Sequence, residues 1–168
     1  MLLDDDHAEL DGLIEEALAA LDGGDVGRSH ARLDLFWARL AMHIRAEHLH
    51  LFPAILRAVE GRQGERPSAA EARERIEELR HDHDFFMREL AAAMKLLRTL
   101  ARDEKESLVE ARAHVLAVRE RLVAHNRTEE GQVYRWAETL LTPAERRVLT
   151  TRMQRELENL PPRFADTT

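Results

Sequence analysis

Four long stretches of the chain carry apolar residues at the alternating three- and four-residue spacing of a helix face turned toward a core. In the first, Leu10, Ile14, Ala17 and Leu21 form the stripe, and His7 continues it one step upstream. The second runs Leu33, Phe36, Leu40, His43, Glu47, His50 and Ala54, so three polar residues occupy positions that the spacing assigns to the core. In the third, Ile76, Leu79, His83, Phe86, Leu90, Met94 and Leu97, only His83 interrupts. The fourth is Leu108, Ala111, Val115, Val118, Leu122, His125, Glu129, Gln132, Trp136 and Leu140, and its polar residues again fall in consecutive turns.

Gly23-Gly24-Asp25, the stretch from Gly61 to Pro67 and the charged stretch from Arg102 to Lys105 separate these segments. A shorter fifth segment opens on Thr142-Pro143-Ala144-Glu145, which sets a capping Thr before a Pro at the first helical position and a Glu at the third. Pro161-Pro162 closes it. The pattern predicts an all-α, up-down-up-down four-helix bundle over residues 1–141. An additional C-terminal helix and tail over 142–168 would pack on or extend the same domain.

Composition narrows the chemistry. A chain of 168 residues fits one domain with a core of its own. With no cysteine, disulfides, thiolate catalysis, iron-sulfur clusters and Cys-type zinc sites are excluded, so any metal is held by nitrogen and oxygen. A net charge of -7 with interleaved Arg and Glu leaves no basic stripe for nucleic acid and is repelled by an acidic membrane surface. Met1 to Asp6 lacks the basic and apolar regions of a signal peptide, and no apolar run reaches membrane-spanning length, which together predict a cytoplasmic protein.

Burying imidazoles and carboxylates without partners costs several kcal/mol apiece, so polar residues repeated on core stripes need each other or a metal. In an up-down bundle, residues equidistant from a turn share a height, because both helices advance about 1.5 Å per residue. His7 and His43 are equidistant from residue 25, Glu47 and His83 from residue 65, and His83 and His125 from residue 104; each midpoint falls in one of the breaks. His7, His43, Glu47, His83, His125 and Glu129 are therefore expected in one layer. Within each His-x-x-x-Glu pair the four-residue spacing puts both side chains on one helix face. Such a donor set suits iron, zinc or manganese, and it exceeds what one tetrahedral zinc needs. The alternative is a group of hydrogen-bonded core residues and surface charges without a metal.

Around this layer, His50 and Gln132 lie one turn beyond the two glutamates on the same stripes and Asp82 flanks His83, so all three are candidates to orient ligands. His81 points about 200° away from His83, and the stripe favours His83. Glu47-x-x-His50 and Glu78-x-x-His81 match a ferritin-like motif and form the runner-up site. His30, His48 and His114 are expected to be solvated or interfacial, and Phe86 is a candidate pocket wall. A weak repeat is visible too: His43-x-x-x-Glu47 followed by Phe52 is echoed by His125-x-x-x-Glu129 followed by Tyr134.

The order His, His-x-x-x-Glu, His, His-x-x-x-Glu resembles the hemerythrin-like (HHE cation-binding) family from about Leu2 to Leu141. It is carried by Leu3-Asp4-Asp5-Asp6-His7, His43-Ile44-Arg45-Ala46-Glu47 through Leu51-Phe52-Pro53, Leu79-Arg80-His81-Asp82-His83 and His125-Asn126-Arg127-Thr128-Glu129-Glu130. The resemblance implies a four-helix bundle that holds two iron ions (Fe2+/Fe3+) under an oxo or hydroxo bridge, with the same six residues as ligands. The small ligand it implies is dioxygen, peroxide or nitric oxide. Two positions depart from the oxygen carriers: Met87 stands where they have a second third-helix histidine, and Glu129 where they have an aspartate. The readings left open are an oxygen- or peroxide-dependent, catalase-like oxidoreductase; a non-enzymatic iron, oxygen or nitric oxide sensor; and an iron-storage or structural zinc protein. The fifth segment, with Met153, Leu157 and Leu160, is a candidate dimer or partner surface.

Overall fold

The computed structural model describes residues 2–60, 66–99 and 104–164, and every regular element among them is helical. The helices are α1 (Leu2–Asp22), α2 (Val26–Ala46), α3 (Phe52–Val59), α4 (Ala69–Arg98), α5 (Glu104–Thr128), α6 (Tyr134–Leu140) and α7 (Pro143–Leu157). Two π-helical turns, Glu47–Leu51 and Glu129–Val133, join α2 to α3 and α5 to α6. The expected breaks after Gly61 and before Lys105 lie mostly outside the described residues.

Local chemistry sets the boundaries that can be seen. Gly24 adopts φ 71°, a left-handed conformation that glycine enters without a Cβ clash, and the chain reverses there. Asp25 then caps α2 by accepting from the Arg28 amide at 2.9 Å. Ser68 with Glu71, and Thr142 with Glu145, close reciprocal capping boxes on α4 and α7. The fifth helix thus starts where its sequence predicts, although it ends at Leu157, ahead of Pro161.

α1 packs on α2 and α5, and α4 packs on α5 and α2. Their stripes form one apolar cluster that includes Ile14, Phe36, Leu90 and Val115. A second cluster gathers Phe52, Ile55, Ile76, Leu79 and Ala137 at the other end. Among the described side chains α1 supplies none to this second cluster, and α7 inserts Leu149, Met153 and Leu157 into it. That corrects one expectation: Met153 and Leu157 are not an outward partner surface, because both are buried in this cluster. Leu160 packs with Leu35, Ala38 and Phe164. Between the two apolar clusters lies a layer of buried polar side chains.

Candidate metal centre

The layer contains His7, His43, Glu47, His83, His125 and Glu129, all at most 3% exposed. The turn-midpoint arithmetic expects these six together. The spacing alone does not reveal that each glutamate is the first residue of a π turn. Phe52 N–H donates to the Glu47 carbonyl and Tyr134 N–H to the Glu129 carbonyl, each five residues back. One residue is thereby inserted per turn, and every side chain beyond the glutamates is rotated relative to a uniform α-helix.

Two readings change for that reason. His50 turns away from the layer toward Glu156 Oε1, 3.4 Å distant, and Gln132 is exposed, so neither orients a ligand. His48 takes the inner place instead, with Nε2 2.9 Å from His83 Nδ1. The runner-up motif does not assemble, because Glu78 and His81 are both exposed. His30 is half-buried, and His114 bonds Glu89 at 2.7 Å, both away from the layer. Met87 accepts the Trp37 indole N–H at 3.3 Å. Phe86 stands against the site as a wall, its ring centroid 5.2 Å from that of His125.

Each imidazole is held by its outer nitrogen and aims its inner nitrogen at the centre. His43 Nδ1 donates to Asp6 Oδ2 at 2.6 Å and His125 Nδ1 to Asp82 Oδ2 at 3.1 Å. His7 Nδ1 donates to Glu130 Oε1 at 2.8 Å. Arg39 lies 3.5 Å from Asp6 Oδ1, and Arg121 donates to Asp82 Oδ1 at 2.6 Å, so each aspartate is itself oriented. Outer partners of this kind fix ring orientation and raise donor strength at metal sites. Asp82 stands where its sequence position suggests; Asp6 and Glu130 are additions. Asp6-His7 and Asp82-His83 were a visible repeat, as were Arg39 and Arg121, each four residues before a layer histidine.

The inner nitrogens pair off. His7 Nε2 faces His43 Nε2 at 3.3 Å, and His83 Nε2 faces His125 Nε2 at 3.0 Å. Two imidazole nitrogens this close need a proton or a cation between or beside them. Each carboxylate reaches both pairs. Glu129 Oε2 lies 3.3 Å from His7 Nε2, while its Oε1 lies 3.0 Å from His125 Nε2. Glu47 Oε1 lies 3.6 Å from His43 Nε2, while its Oε2 lies 3.3 Å from His83 Nε2. Glu47 Oε2 and Glu129 Oε1 are fully buried and make no hydrogen bond. A carboxylate oxygen left in that state costs about 1–3 kcal/mol or more, and a cation would satisfy it. Glu47, His83, His125 and Glu129 converge closely enough to hold one ion, as do His7, His43 and Glu129.

Electrostatics agree with that fit. Burial lowers the His43 imidazole, but Glu47, Asp6 and Glu129 outweigh it and hold it well above its usual range. Burial likewise lowers His125, and Glu129 and Asp82 carry it up to about 9. Burial raises Glu129, yet His125, His43 and His7 hold it well below the carboxylate range. Burial and Glu129 raise Glu47, and His43 and His83 outweigh them. The pocket thus stabilises positive charge, which imidazole protons supply when no metal does.

Asp6→Ala is expected to weaken metal binding about 10–100-fold while the fold survives, because His43 loses the acceptor that orients it. A chelator competition titration measures this, and unchanged affinity would remove Asp6 from the site.

The family model for the hemerythrin HHE cation binding domain matches residues 2–137. No curated protein and no solved structure matches the chain.

Proposed function

The chain belongs to the hemerythrin HHE cation-binding family, and on that premise we propose a cytoplasmic non-haem di-iron protein built as an up-down-up-down four-helix bundle. It binds or reacts with dioxygen, peroxide or nitric oxide. His7, His43, Glu47, His83, His125 and Glu129 hold the two ions, with each glutamate shared between them. One observation carries this reading: each buried carboxylate directs one oxygen toward the His7–His43 pair and the other toward the His83–His125 pair.

A pair of bound irons supplies one-electron redox chemistry and an exchangeable position for a small ligand. The chain supplies orientation and exclusion. Asp6, Asp82, Glu130 and His48 hold the rings, and the two apolar clusters above and below keep bulk water from the layer. No described helix is long and apolar enough to cross a membrane.

Protein loaded anaerobically with Fe(II) is expected to hold about two irons per chain and to change its optical spectrum on exposure to oxygen, peroxide or nitric oxide. Reversible change without turnover favours binding or sensing, and oxygen evolution from peroxide favours catalysis. Zinc as the only metal retained, or no metal at all, would overturn the di-iron reading.

A further inference from the structure

The two halves of the site are related by an internal repeat, and they differ at one chemically decisive place. Five residues after Glu47 stands Phe52, and five after Glu129 stands Tyr134. Each ring stacks on a layer imidazole: Phe52 on His83 with an interplanar angle of 13°, and Tyr134 on His7 at 27°. Tyr134 therefore adds a hydroxyl where its counterpart has only carbon, and that hydroxyl lies inside the layer. Its Oη is 3.0 Å from His7 Nε2, 3.3 Å from Glu47 Oε1 and 3.3 Å from Glu129 Oε2.

Those spacings are what donors around a single ion require. Six-coordinate bonds of about 2.1 Å set neighbouring donors about 3.0 Å apart and opposite donors about 4.2 Å apart. On the His7–His43 side, His7 to His43 is 3.3 Å, His7 to Glu129 Oε2 is 3.3 Å and His43 to Glu47 Oε1 is 3.6 Å, all neighbour-like, while His43 to Glu129 Oε2 is 4.0 Å, opposite-like. Tyr134 Oη fits as the neighbour of three of these donors. On the other side, Glu47 Oε2 and Glu129 Oε1 are the two oxygens with no hydrogen bond, and Phe52 brings no donor to them.

Resting on the di-iron reading, we propose that Tyr134 Oη is a seventh protein ligand, bound to the ion between His7 and His43, and that the exchangeable position belongs to the ion between His83 and His125. On coordination the phenolic O–H bond breaks heterolytically, the oxygen keeps the electron pair and donates it to iron, and the proton passes to solvent with those the imidazoles release on metal binding. The two positions are then unlike: one is closed by a phenolate, and the other lies open beside the Phe52 ring.

The chain has a single tyrosine, so its optical signature is unambiguous. Resonance Raman spectra of the two-iron ferric protein are expected to show phenolate modes under an intense visible charge-transfer band. Growth on ring-deuterated tyrosine shifts these modes, and Tyr134→Phe abolishes them while iron content stays at about two per chain. Azide titration is expected to saturate at one anion per chain in the parent and two in Tyr134→Phe. Two irons without phenolate modes in the parent, or two azides bound by the parent, would overturn the assignment and leave the six-ligand reading intact. A chain that takes up no iron overturns both.

Discussion

Replacing Glu129 with alanine is expected to abolish metal binding at both positions, leaving well below one iron per chain where the parent is expected to hold about two. The effect is larger than that of any single histidine because Glu129 is the donor common to both converging groups. Losing His7 or His83 removes one donor from one pair, whereas losing Glu129 removes an oxygen from each. The same change should destabilise the metal-free protein by about 3–5 kcal/mol, since the basicity of His7, His43 and His125 is raised in part by Glu129 and their buried protons lose that partner with the carboxylate. Glu130→Ala is the matched comparison. Its side chain is 47% exposed and bonds the outer nitrogen of His7, Nδ1, so iron should be retained at both positions with a modest loss of affinity. Metal analysis and urea unfolding of the two variants decide the matter. Two tightly held irons in Glu129→Ala would mean that the carboxylate is not shared.

How much of this could be read beforehand depends on where periodicity holds. Up to each glutamate, a uniform helical walk finds the buried face: Leu33, Phe36, Leu40 and His43 are all in the interior, as are Val115, Val118, Leu122 and His125. Equal heights across a turn then bring the six donors together, since that relation needs only a constant rise per residue. Past each glutamate the walk fails, because a π turn adds a residue that no propensity marks. A trace was nevertheless present. Leu51, Ile55 and Val59, and Val133, Ala137 and Leu141, are apolar on a stripe displaced by one from His50 and Gln132. A displaced stripe directly after a polar core pair is the mark of an inserted residue. Tyr134 was legible as half of a repeat, but its reach into the layer follows from that displaced register. α7 was legible as a helix from its cap, and its role in the core was not. A cap marks where a helix starts but not which face it buries, and only the packing shows that Leu149, Met153 and Leu157 join the second cluster.

Metal-free protein is expected to be most stable in mildly acidic solution, at about pH 5–6, and iron should invert that preference. His7, His43 and His125 are raised in the folded state, so their contribution is complete below the ordinary imidazole range and is lost as pH rises through their folded values, about 9 for His125. Glu47 and Glu129 are lowered, so their contribution is complete above the ordinary carboxylate range and is lost as pH falls through their folded values. The two windows overlap between about pH 4.5 and 6.5. The His125 shift alone corresponds to roughly 3 kcal/mol, surrendered progressively on going from about pH 6.5 to above pH 9. The contact with Glu129 is one interaction and is counted once. Iron requires the same imidazole nitrogens without their protons, so its binding releases protons and its apparent affinity rises with pH across that interval. Urea unfolding of the metal-free protein at about pH 5.5, 7 and 9 should give falling stability, and the anaerobic Fe(II) form should retain or gain it. Metal-free stability that rises steadily to about pH 9, or iron uptake without proton release, would show that the imidazoles are neutral in the empty site and that the pocket was not built around positive charge.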